Sequence, residues 1–277
     1  MRRAGDAGAR RDSRGLPGGS DPGQGSSPGT PLNDLRFRDR GSGPPVLLIH
    51  GTGTGSSVFD EAVGSLAGEW RLITPDRRGW GESVPDDEYR RTSIAEQSIE
   101  IASLLRRIES GPVTVIGLGF GAVVALELSL ADPELVGRAF LIEPPVFGAI
   151  SAATEGMSAD VDAIRAAADE GGEEAAYELF LAGDLRTLGL GAERFAGSAE
   201  RGPTAARSFL VELPAVPAWP LDPVRLAGLE AEVTVVTLPS TPALLRHAAE
   251  AVADRVPGAE TVHSSRDGIG SIPGLLS

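Results

Sequence analysis

Val113-Thr114-Val115-Ile116-Gly117-Leu118-Gly119-Phe120-Gly121 changes character twice within a few residues. Val113 to Ile116 reads as a strand. Glycines then alternate with Leu118 and Phe120, which suits a tight turn, and Phe120 to Leu130 continues with helical character. Strand, sharp turn and helix in such short order predict the carboxyl end of a parallel strand feeding a crossover helix.

Outward from that stretch the same rhythm repeats. Val46 to Ile49 is a continuous apolar run, the mark of a strand buried on both faces. Arg71 to Thr74 is a weaker strand, and Ala139 to Ile142 and Val233 to Leu238 are again strand-like. Thr92 to Arg107 and Pro242 to Val256 read as helices. The alternation predicts an α/β fold: a doubly wound, mostly parallel sheet. Residues 146–224 break the rhythm, with helices expected at Ala159 to Ala168, Glu173 to Ala182 and Thr204 to Val211. The expected organisation is therefore a core of 32–145 and 225–277, with 146–224 inserted as a helical lid over the carboxyl edge of the sheet. Residues 1–31 hold eight glycines with Ser, Pro and Arg and are expected to form a disordered tail.

Composition excludes several function classes. Apolar residues make up 41% of the 277, ample for a core, and no apolar run is long enough to span a membrane. Met1-Arg2-Arg3 leads into Gly, Asp, Ser and Pro, unlike a secretory signal, so a cytoplasmic protein is expected. A net charge of −14 argues against a nucleic-acid partner. There is no cysteine, hence no disulfide or thiolate metal site. All 25 basic residues are arginine and Asn33 is the single asparagine, which suggests a GC-rich genome such as an actinobacterial one.

Three further stretches accompany the opening one. They are Pro44-Pro45-Val46-Leu47-Leu48-Ile49-His50-Gly51, Asp76-Arg77-Arg78-Gly79-Trp80-Gly81-Glu82-Ser83, and Glu143-Pro144-Pro145. In this order and spacing, from about residue 35 to 273, the chain resembles the α/β-hydrolase fold superfamily. The resemblance implies a nucleophile at the centre of Gly-x-Nuc-x-Gly, where this chain has Gly119. It implies a triad acid within Leu238-Pro239-Ser240-Thr241-Pro242, at Ser240, and a base within Asp267-Gly268-Ile269-Gly270-Ser271, at Ile269. None of Gly119, Ser240 and Ile269 can do the triad's chemistry. The chain is thus expected to be a triad-deficient, non-hydrolytic member, similar to homologues in actinobacterial natural-product pathways. The resemblance further implies a helix beyond Ile272-Pro273, where four residues remain.

Other residues are then candidates for chemistry. The backbone N–H groups of Thr52 and Phe120 match the family's oxyanion-hole positions and need no triad. Glu143, at a strand end beneath the lid, is a candidate acid/base, or else a carboxylate bonded into the Pro144-Pro145 turn. Gly119, His50, Trp80, Val146, Phe147, Trp219, Ser240 and Ile269 are expected around a substrate pocket, each with plain core packing as the alternative. Asp76, Arg77 and Arg78 read as an ion-paired loop scaffold, and His247 and His263 as poorly placed for catalysis. The expected function is a cyclase (cycloaddition, aldol-type closure or elimination) acting on an apolar, polyketide-like intermediate. The alternatives are a noncatalytic ligand- or partner-binding protein, and a weak hydrolase using water activated by Glu143. No metal or cofactor is implied; the expected partner is an apolar small molecule, with no nucleic acid and no membrane, and the oligomeric state is open.

Overall fold

The structure, a computed structural model, describes residues 35–83, 89–150, 153–189 and 197–277. The tail expected over 1–31 lies outside the described residues. One sheet contains β1 (Phe37–Arg40), β2 (Pro45–Ile49), β3 (Arg71–Pro75), β4 (Val113–Leu118), β5 (Val136–Ile142), β6 (Glu232–Thr237) and β7 (Glu260–His263). Their spatial order is β1-β3-β2-β4-β5-β6-β7. β1 runs antiparallel to β3 and the other neighbours are parallel, the doubly wound α/β arrangement read from the sequence.

Period-two alternation sorts the strand residues onto two cores. Leu47, Ile49, Val113 and Val115 face one side, against α2 (Ile94–Arg107) and α3 (Phe120–Ala131). Val46, Leu48, Ile116 and Leu118 face the other, with Phe59 and with Ala62 of α1 (Asp60–Leu66). A sheet covered on both faces needs apolar residues at successive positions, hence the unbroken runs in β2 and β4. α2 starts at a side-chain N-cap: the Ser93 hydroxyl accepts from the Glu96 N–H and donates to the Glu96 carboxylate, both at 3.1 Å. β1 has no apolar run to announce it. Its sequence Phe-Arg-Asp-Arg suits a half-exposed edge strand, where charge discourages pairing with another chain.

Between β5 and β6 lie α4 (Thr154–Leu181), α5 (Pro203–Glu212), α6 (Ala215–Ala218) and α7 (Pro223–Leu226). The two helices expected across 159–182 form α4, interrupted at Gly172, whose φ of 81° and ψ of −177° are not helical. Ile164, Ala176, Tyr177 and Leu181 of α4 pack against Ala206 and Phe209 of α5 around Trp80. α8 (Ala243–Ala253) and α9 (Ile272–Leu275) complete the chain. Among the described residues no helix is long and apolar enough to cross a membrane.

Candidate functional site

β4 ends directly at the start of α3, so the chain must reverse within Gly119. That residue has φ 56° and ψ −118°, a region costly to any side chain. Its N–H donates to the Ile142 carbonyl at 2.9 Å, and its own carbonyl accepts from the Ala122 N–H at 2.9 Å. The flanking glycines serve close approach. A Cβ at Gly117 would strike the backbone of Gly121 and Ala122, and one at Gly121 would strike the carbonyls of Ile49 and His50. At Gly119 a Cβ would meet only the Gly51 Cα, at 4.0 Å. The turn thus leaves open space above Gly119 where its neighbours Gly117 and Gly121 have none.

Above Gly119 is a cavity of about 150 Å³. From the sheet edge it is lined by Thr52, Gly119, Phe120, Glu143 and Phe147, and from the inserted helices by residues including Met157, Phe180, Phe209 and Glu212. Phe180 and Phe209 stack at 4.8 Å between ring centroids, giving the helical wall a rigid aromatic surface.

Glu143 follows β5 in a left-handed conformation, φ 50°, unusual for a residue with a side chain. Its N–H donates to the Val236 carbonyl at 2.9 Å, which holds this bend against β6. The buried carboxylate accepts from the Thr241 hydroxyl, which itself accepts from the Leu238 N–H at 2.6 Å.

The other polar groups converge beneath Thr52. The Arg77 N–H donates to His50 Nε2 at 2.9 Å. His50 Nδ1 must then carry the ring proton, and it donates to the Gly51 carbonyl at 2.9 Å. Burial first, and the Arg77 charge second, push the His50 pKa well below its ordinary value, so the ring is neutral. The Arg77 guanidinium donates to the carbonyls of His50 at 2.9 Å and Gly51 at 3.0 Å, to Gln97 Oε1 at 2.7 Å, and to the Glu212 carboxylate. It also stacks 4.5 Å from the Phe120 ring centroid. Glu212 further accepts from Thr52 Oγ1 at 2.9 Å, Trp80 Nε1 at 2.9 Å and Gln97 Nε2 at 3.1 Å.

Phe120 is the first residue of α3, so the helix offers its N–H no internal acceptor. The Thr52 N–H belongs to the peptide whose carbonyl Arg77 and His50 hold. Both residues line the cavity together with Glu143, Phe147 and Gly119. Six other residues expected around the pocket stand outside its lining. The His50 ring is consumed by Arg77 and Gly51, and the Trp80 indole is buried on Glu212. Val146 packs into the core with Trp219, whose Nε1 donates to Glu127 at 2.8 Å. Ser240 is exposed, its N–H and hydroxyl both bonded to Asp267 at 2.9 and 2.6 Å. Ile269 packs against the core face that holds Leu238 and Ile272. Of the expected ion-paired scaffold, Arg77 pairs with Glu212 and Arg78 with Glu100, while Asp76 accepts from the backbone N–H groups of Ser56 at 2.6 Å and Glu82 at 2.9 Å. His247 and His263 are exposed; His263 Nδ1 lies 2.5 Å from Thr237 Oγ1.

Glu212, Phe180 and Phe209 were not anticipated. Helical periodicity shows that α5 has a buried face, and nothing in it tells which core loop that face will meet. Among the described residues no group of three or more His, Asp or Glu side chains is arranged to hold a metal ion.

Known proteins resemble the chain in part and in fold. An uncharacterized hydrolase of Bacillus subtilis, YraK, is 33% identical over 106 residues, 38% of this chain and 39% of that protein. An uncharacterized protein of Mycobacterium tuberculosis is 36% identical over 107 residues, 38% of this chain and 30% of that protein. The matched stretches therefore span well under half of either relative. An alpha/beta hydrolase from Sphaerobacter thermophilus superposes with a TM-score of 0.66 at 23% identity, covering 87% of this chain and 94% of that one. The N-acyl homoserine lactone degrading enzyme Est816 superposes with a TM-score of 0.64 at 19% identity, covering 87% and 93%. These two likenesses carry the fold alone. The sequence model of the alpha/beta hydrolase family matches residues 46–265, most of the chain, and the protein belongs to that family.

Proposed function

We propose that the chain is a non-hydrolytic enzyme of its family, a cyclase that closes a ring within one apolar, polyketide-like molecule. Gly119, Ser240 and Ile269 stand in this reading at the positions of a lost triad. The observation that carries it is the meeting of Glu143, Thr52 and Phe120 with Gly119 in one cavity of mostly apolar wall. A simple binding pocket for an apolar ligand has no need of a carboxylate held on a strained backbone.

The chemistry follows from what is kept and what is missing. With no side chain at residue 119, no acyl-enzyme forms there. The N–H groups of Thr52 and Phe120 receive the oxygen of a substrate carbonyl and stabilise negative charge on it. Glu143 removes a proton from the neighbouring carbon, leaving an enolate on those donors. The enolate carbon attacks a second carbonyl of the same molecule, held close by the walls, and the new alkoxide takes the proton back from Glu143. One carbon–carbon bond forms, one carbonyl becomes a hydroxyl, and the mass is unchanged.

Deleting the gene from its host and comparing metabolites by mass tests this. The expected result is loss of one compound and accumulation of an isomer, with rescue by the wild-type gene and none by Glu143→Gln. A mass difference of one water without ring formation would replace the cyclase by a hydrolase using water activated by Glu143. An unchanged profile would replace it by a noncatalytic binding protein.

A further inference from the structure

Gly51 and Thr52 share one planar peptide, so whatever fixes the Gly51 carbonyl also fixes the Thr52 N–H on its opposite side. Three donors are directed at that carbonyl: His50 Nδ1 at 2.9 Å, an Arg77 guanidinium nitrogen at 3.0 Å and, more weakly, Thr54 Oγ1 at 3.4 Å. Hydrogen bonds accepted by a carbonyl polarise the peptide and strengthen its N–H as a donor. Arg77 is a full cation with 1% of its side chain exposed, and a buried cation holds its place only if it is paired. Its partner is Glu212, the last residue of α5, contributed by the inserted helices and not by the sheet edge.

We propose that Glu212 is the positioning residue of the oxyanion site: from the helical insertion it holds Arg77 on the Gly51 carbonyl, and so aims and polarises the Thr52 N–H. This rests on the reading of Thr52 as an oxyanion donor. Two features of the geometry support it. Glu212 also takes the Thr52 hydroxyl at 2.9 Å, so it grips the donor residue directly as well as through Arg77. The Arg77–Glu212 pair is neutral as a unit, so the clamp brings no net negative charge beside an oxygen that is becoming anionic. Docking of α5 and arming of the oxyanion site are then one event. Without the insertion seated, the site lacks an aligned donor, and substrate carbonyls in an open chamber are left unpolarised.

The test is Glu212→Gln, which keeps the side chain's shape and removes its charge. Nuclear magnetic resonance of the ligand-free protein reads the clamp at the Gly51 carbonyl carbon and the Thr52 amide. Both should move upfield, while Leu126, remote in α3, stays where it is; rescue of product formation in the deletion host should fall by roughly ten- to a hundredfold. Unmoved Gly51 and Thr52 signals in a folded variant would overturn the proposal. Moved signals with full product formation would instead remove the oxyanion reading beneath it. Should Glu212→Gln not fold, Glu212→Asp, which keeps the charge and shortens its reach while leaving Arg77 in place, is read in the same way.

Discussion

On one side of Gly119 the Gly51–Thr52 peptide is gripped by His50, Arg77 and, through them, Glu212, all buried and each bonded several times over. On the other side the loops after β6 and β7 carry Ser240, exposed and tied to Asp267, and Ile269, half-buried against the core. The Thr52 side is built as an interior. The side of Ser240 and Ile269 is built closer to the surface. On the proposed reading, the contrast marks the half of the site that is held in place for chemistry. Four side chains, those of Arg77, Thr52, Trp80 and Gln97, donate to the one buried Glu212 carboxylate.

The sharpest way to break this contrast is truncation on each side. Glu212→Ala leaves Arg77 buried and unpaired and should cost about 3–5 kcal/mol in urea unfolding, against less than about 0.5 kcal/mol for Ser240→Ala. Equal costs would mean that both sides are scaffold. A second comparison lies within the elbow. Gly121→Ala drives a methyl into the Ile49 and His50 carbonyls and should cost about 3 kcal/mol or more, whereas Gly119→Ala pays only its backbone strain, about 1–2 kcal/mol. A destabilisation at Gly119 as large as at Gly121 would refute the open space above the turn.

The smallest effect is in pH. His50 is neutral in the fold and its pKa is depressed well below that of the unfolded chain, near 6.5. Between those two values the unfolded state binds the extra proton, so stability rises with pH across that window. The contribution is complete above about pH 6.5 and drains away as the pH falls, with a slope approaching about 1.4 kcal/mol per pH unit. His50→Gln should flatten that part of a plot of unfolding free energy against pH. A wild-type curve already flat just below about pH 6.5 would show that the ring is not the buried neutral acceptor described.

Much of this was legible in the chain itself, and the failures have physical causes. Apolar runs at Val46–Ile49 and Val113–Ile116 announce strands because a sheet covered on both faces has no polar side to show. Thr52, Glu143 and Phe120 reach the cavity because strand ends in a parallel sheet converge on one edge. Val146 and Phe147 separate, one into core and one into cavity, because neighbouring side chains leave the backbone in different directions, and no composition rule says which way. Glu212 was invisible for a deeper reason. Its meaning lies in Arg77, 135 residues away, and only tertiary structure brings the two together.

The open space over Gly119 has a genetic consequence. Glycine codons ending in a pyrimidine lie a single base from serine codons, and at this turn a Cβ would meet no atom beyond its chain neighbours closer than 4.0 Å. From such a codon serine arises here by one mutation and meets no clash at its Cβ, only the backbone strain of a positive φ, yet with isoleucine at 269 that variant should hydrolyse no simple ester. On the reading proposed above, a working triad would take three coordinated replacements, at residues 119, 240 and 269, while each single step toward it confers nothing. So read, the elbow accepts a serine's bulk without gaining a serine's chemistry.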